Sequence, residues 1–122
     1  MTYNPLSSVI DAPLVVSDGT MRALAEFRAA DKFLELPGAS DTTAERQRLT
    51  AIFDAALDKL IVGLQSNPRK FWFMTQIQPA LEEVETEDTE AREHFGTHVE
   101  KIMDIVGIDS SDGMLSFYLG GI

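Results

Sequence analysis

The sequence predicts an all-α protein, and three observations carry that expectation. Apolar residues recur at intervals of three and four through most of its 122 residues. The breaks between these stretches carry helix caps and stops. No alternating stretch is long enough for a useful β-strand. The clearest helix spans Asp41–Ser66, where Leu49, Ile52, Phe53, Ala56, Leu57, Leu60, Ile61 and Leu64 form one apolar face. Thr42 and Glu45 have capping-box spacing at its start, and Asn67-Pro68 stops it. It is the expected central helix of a single domain covering residues 1–122.

The other elements follow in order. Residues 1–16 hold two prolines and no helical period, which reads as an extended arm. Its Val9, Ile10, Leu14, Val15 and Val16 are expected to lie over a helical groove. Ser17, Asp18 and Gly19 form a turn and cap. A helix is then predicted over Thr20–Leu36, with Ala23, Leu24, Phe27, Ala30 and Leu34 inward, Phe33 at the margin and Pro37-Gly38 as the stop. The short loop after it predicts antiparallel neighbours. Asn67 is expected to cap a third helix with Pro68 at its first position. Phe71, Met74, Ile77 and Leu81 give that helix its face, and Pro79 predicts a kink or break near Gln78. A fourth helix, capped by Thr86 or Asp88, buries Phe95, Val99, Ile102, Met103 and Val106, and Gly107 closes it. Ser110 or Ser111 caps a turn into a short last helix with Met114, Leu115, Phe117, Tyr118 and Leu119 mostly buried. The expected architecture is four main helices, a short C-terminal helix and an extended N-terminal arm.

Charge narrows the function classes. The net charge is −10, and it is unevenly placed. Residues 1–70 hold 9 acids and 8 bases, whereas residues 71–122 hold 11 acids against only Arg92 and Lys101. Such a surface repels nucleic acid and anionic membrane and attracts basic proteins. Arg46, Arg48, Arg69 and Lys70 are too outnumbered to make a nucleic-acid surface. The same acidity also serves plain solubility. There is no cysteine, so disulfides and thiol chemistry are excluded and a reducing cytoplasm is compatible. No apolar run reaches the length of a membrane span, and the first base is Arg22, so no signal peptide is expected.

No nucleophile elbow, phosphate loop or dinucleotide fingerprint is present, and no cofactor is expected. His94 and His98 are four residues apart on the fourth helix, with Glu90 extending the row. Two imidazoles and a carboxylate on one side can ligate a divalent ion, though Phe95 stands where a zincin would carry its catalytic glutamate. The competing reading is a pair of solvated histidines beside the core. Asp109–Gly113 lacks the alternating acids of a calcium loop and is better read as cap and turn. Between Glu82 and Glu93 lie seven acids, Glu82, Glu83, Glu85, Glu87, Asp88, Glu90 and Glu93, with no interleaved apolar face to bury them. They read as a solvated surface or an electrostatic contact surface. Trp72 points away from the predicted face of its helix, so it either packs under the arm or anchors a partner.

Asp88–Phe95, DTEAREHF, and Ile102–Leu115, IMDIVGIDSSDGML, resemble the C-terminal part of a family of small bacterial proteins catalogued as a domain of unknown function. The resemblance implies an all-helical bacterial domain and carries over no catalytic residues. The expectation is therefore a cytoplasmic binding protein without catalysis, akin to an immunity or antitoxin-like inhibitor. It would meet a basic protein through the acids of Glu82–Glu93 and Trp72. The alternatives are a self-associating adaptor and, behind it, a metal-dependent enzyme built on His94, His98 and Glu90.

Overall fold

In the computed structural model, residues 3–34 and 42–120 are described, the side chain of Thr42 apart. The expected stop at Pro37-Gly38 and the Thr42–Glu45 capping box lie outside the described residues. The elements are a 3₁₀ turn, Pro5–Ser8, then α1 (Asp18–Ala29), α2 (Thr42–Gly63), α3 (Lys70–Val84), α4 (Thr89–Val106) and α5 (Met114–Leu119). Among the described residues the only β feature is an isolated bridge between Pro13 and Arg69, so the fold is all-α.

α2 buries the face that its pattern predicts, but the central place falls to α3, which packs against α2, α4, α5 and the 3₁₀ turn, while α2 packs mainly on α1 and α3. Leu49, Phe53, Ala56, Leu57, Leu60 and Leu64 are buried, and Ile52 and Ile61 lie half-buried beside them. α4 also buries its predicted face, from Phe95 to Val106. Asp88 Oδ1 accepts from Ala91 N at 2.9 Å to cap it, and Gly107 ends it at φ 86°, where a Cβ would be strained.

Four further expectations are corrected. α1 ends at Ala29, so Ala30 and Leu34 are exposed rather than inward, and Phe33 is buried. The reason is tertiary. Lys32 turns back on the end of α1, donating to the carbonyls of Phe27, Ala30 and Arg28 at 2.8, 2.7 and 3.1 Å. Its ammonium also lies 3.1 Å from Asp54 Oδ1 of α2. Phe33, at φ 60°, then enters a cluster with Phe53 and Phe95. This burial outweighs the cost of a left-handed backbone.

The second correction concerns the start of α3. Arg69, not Asn67, is the N-cap, and it makes no side-chain cap bond. Asn67 instead donates from its amide to the Gly63 carbonyl at 2.9 Å and closes α2. The cap of α3 comes from the arm: Asp11 Oδ1 accepts from Phe71 N at 3.0 Å, and Asp11 Oδ2 pairs with Arg69 Nε at 2.8 Å. Lys70 N donates to the Ala12 carbonyl and Leu14 N to the Pro68 carbonyl, holding the arm against this junction.

Third, the predicted face of α3 holds at Met74, Ile77 and Leu81 but not at Phe71. Phe73, Met74, Ile77, Ala80, Leu81 and Val84 are buried, while Phe71 is exposed. The helix also continues through Pro79. Thr75 and Pro79 both lie on the exposed side, so the missing hydrogen bond falls at the water-facing surface. Fourth, Leu6, Val9, Leu14 and Val16 of the arm lie against the core, but Ile10 and Val15 point outward, and Phe117 of α5 is exposed.

Candidate interaction surface

The seven acids of Glu82–Glu93 occupy the end of α3, the turn after it and the first turns of α4. They divide by use. Asp88 caps α4. Glu87 takes a two-pronged bond from Arg48 of α2, at 2.6 and 2.8 Å, and this pairing holds the Arg48 guanidinium above its ordinary pKa. The other five, Glu82, Glu83, Glu85, Glu90 and Glu93, are exposed and form no ion pair among the described residues. The one base within the run, Arg92, is directed elsewhere. Its guanidinium donates to Thr89 Oγ1 and to the Leu119 carbonyl.

Beside this acidic turn, α3, α5 and the 3₁₀ turn enclose an open hollow of about 500 Å³. Glu82 and Glu85 line it together with Tyr3, Phe117 and Tyr118. Gln78 ties the parts together, its amide nitrogen lying 2.9 Å from both Asn4 Oδ1 and the Tyr118 hydroxyl. Tyr3 and Ser8 hydrogen-bond through their hydroxyls. Burial raises the Tyr118 pKa, and the charges of Glu82 and Glu85 push in the same direction, against the Gln78 bond. A larger hollow, about 650 Å³, lies at the end of α1 and is lined by Arg28, Arg46, Asp31 and Asp54 among others. None of the sequence-predicted site residues lines it.

The reading as two solvated histidines beside the core fails at His98, while His94 is half-buried. His98 is half-buried against Phe27, Phe33 and Phe53, its ring stacked on Phe33 with centroids 4.2 Å apart. Its Nε2 accepts from Phe33 N at 3.3 Å, and its Nδ1 lies 2.8 Å from the His94 carbonyl oxygen. These two bonds require the neutral tautomer with the proton on Nδ1. Burial lowers the His98 pKa, and the His94 bond opposes that shift. Both ring nitrogens are thus occupied by the fold. Among the described residues, no three metal-capable side chains lie together.

Trp72 packs against a neighbouring helix. It is half-buried, with its ring against Gly63 of α2, where an added Cβ would come within 2.7 Å of the indole. A glycine there makes room for the ring. Asp109–Gly113 does cap-and-turn work: Ser111 Oγ accepts from Leu115 N, and Ser110 Oγ accepts from Asp112 N. Asp112 Oδ2 binds Lys70 Nζ at 2.7 Å and Ile10 N at 2.8 Å, a tether absent from the sequence reading.

No described helix is long and apolar enough to cross a membrane. No curated protein and no solved structure matches the chain. Residues 15–122 do match a family model, extending the likeness seen at Asp88–Phe95 and Ile102–Leu115 over α1 to α5. The chain belongs to the family described as Domain of unknown function (DUF4844).

Proposed function

We propose that this protein is a cytoplasmic, non-catalytic binding protein that engages a basic protein through the acidic turn between α3 and α4, in the manner of an immunity or antitoxin-like inhibitor. One observation carries this reading: five exposed acids within a dozen residues, without a basic side chain paired to them among the described residues. A concentrated single-sign field raises the encounter rate with an oppositely charged partner and discourages nucleic acid and anionic membrane.

The test is affinity capture from lysate of the source cells at moderate salt. It compares the wild-type chain with a Glu83→Gln, Glu90→Gln, Glu93→Gln variant. A basic protein held by the wild type and shed by the variant, with binding that weakens as salt rises, supports the reading. Equal retention by both chains removes it.

A self-associating adaptor is the second reading. Its support is apolar exposure at Val15, Val62 and Phe71, with Val62 86% exposed. Sedimentation at high protein concentration tests it, and a strictly monomeric chain rejects it.

A further inference from the structure

The hollow at Tyr3 and Phe117 refines the acidic-face reading, on which the following rests. Its lining is of two chemical kinds. Tyr3 and Phe117 are 54% and 46% exposed, with ring centroids 5.5 Å apart and planes at 55°. Phe117 meets Tyr118 edge-on, with centroids 5.0 Å apart and planes at 84°. Glu82 and Glu85 line the same hollow, three residues apart at the end of α3, on neighbouring positions of one helical side. Its described lining residues include no lysine or arginine. The carboxylates meet no positive side chain there, and two large rings stay in water.

Both kinds favour the same ligand chemistry. A ring face attracts a cation through its quadrupole, and an apolar face gains from being covered. A carboxylate pair attracts a donor of several N–H groups. Guanidinium satisfies both at once, because it is planar, weakly hydrated and forked. An ammonium answers the carboxylates but is more strongly hydrated and has no flat face to stack. The site is also held in shape beforehand, since Gln78 joins the 3₁₀ turn and α5 to α3.

We propose that this hollow receives an arginine side chain of the basic partner, stacked on Phe117 and Tyr3 and paired with Glu82 and Glu85. Glu83, Glu90 and Glu93 then supply attraction over distance, and the hollow supplies the point of recognition.

The test is an NMR titration at low ionic strength with a short glycine-flanked arginine peptide. Its lysine and citrulline counterparts serve as controls. The arginine peptide is expected to shift the Phe117 and Tyr3 ring signals and the Gln78 amide in a saturable way. The citrulline peptide, which keeps the shape without the charge, should leave them unmoved. Phe117→Leu keeps an apolar side chain without a ring, and should weaken the arginine peptide by about fivefold. The Glu82→Gln, Glu85→Gln variant should weaken it at least as much. Equal binding of citrulline, or full binding by both variants, overturns the assignment. Lysine binding as tightly as arginine overturns the guanidinium preference. The acidic-face reading fails separately: if partner capture depends on Glu83, Glu90 and Glu93 while Phe117→Leu changes nothing, the hollow is refuted and the acidic face stands.

Discussion

Asp11, Asp112, Glu82 and Glu85 are all carboxylates of one very acidic chain, yet the fold treats the first two and the last two in opposite ways. Asp11 receives Arg69 Nε and Phe71 N, and Asp112 receives Lys70 Nζ and Ile10 N. Each is held below the usual carboxylate range, Asp11 first by its Arg69 bond and Asp112 first by its Lys70 bond. Together they fasten the arm, the start of α3 and the loop before α5. At the other end of α3, Glu82 and Glu85 face a hollow with neither a base nor a helix N-terminus paired to them among the described residues. The same residue class is thus a clasp at one end of α3 and an unneutralised surface at the other. Net charge alone does not separate these uses; the presence of a donor brought from far along the chain does.

That contrast can be broken experimentally, starting with the most deeply used charge. Lys32 is 4% exposed, and its ammonium serves three carbonyls and Asp54. Lys32→Ala leaves those carbonyls without their cation and leaves Asp54 with Arg28 alone, 3.1 Å from its Oδ2. The expected loss is about 3–5 kcal/mol of unfolding free energy, read by urea denaturation. A loss under about 1 kcal/mol would mean that α1 does not need this closure.

At the clasp, Asp112→Ala removes one ion pair and one backbone acceptor. An expected cost of about 1–2 kcal/mol follows, with faster hydrogen exchange at Ile10 N. Unchanged exchange there would show that the arm is held by its other contacts alone.

His98 gives the pH dependence. Its folded pKa lies below the ordinary 6.5, so above about pH 6.5 the ring is neutral in both states and its contribution to stability is complete. As pH falls below that value, the unfolded chain takes up the proton first, and stability is lost as pH falls through the folded pKa. Protonated Nε2 would also confront the Phe33 N–H, donor against donor. Wild type should therefore lose more stability between pH 7.5 and 5 than His98→Gln does. Parallel pH curves would show that the imidazole environment contributes nothing.

What was legible in the sequence was mostly local. The α2 face, the Asp88 cap and the Gly107 stop each depend on residues within a few turns of one another, and periodicity or capping chemistry reports them. The end of α1 was not legible, because Lys32 and Phe33 leave the helix to meet Asp54, Phe53 and His98 on other helices. The cap of α3 is not legible at Asn67 because the carboxylate that accepts from Phe71 N belongs to Asp11, on the arm. The candidate surface shows the same division. Its acids stand out as a run, whereas the hollow combines Tyr3, α3 and Phe117, which only folding brings together. A faint signal was present in Phe117-Tyr118: a six-residue helix that buries Tyr118 has little room to bury the adjacent ring as well.

The decisive measurement is the unfolding free energy of a Glu82→Gln, Glu83→Gln, Glu85→Gln, Glu93→Gln variant at low salt. Glu90 is left in place, because it lies in the first turn of α4 and favours the helix dipole. If these acids are a surface held for a partner, unfolding should cost the same as in the wild type within about 0.5 kcal/mol, or slightly more as like charges are relieved. A loss of more than about 1 kcal/mol would mean that the fold itself uses them, and the contrast between the two ends of α3 would collapse.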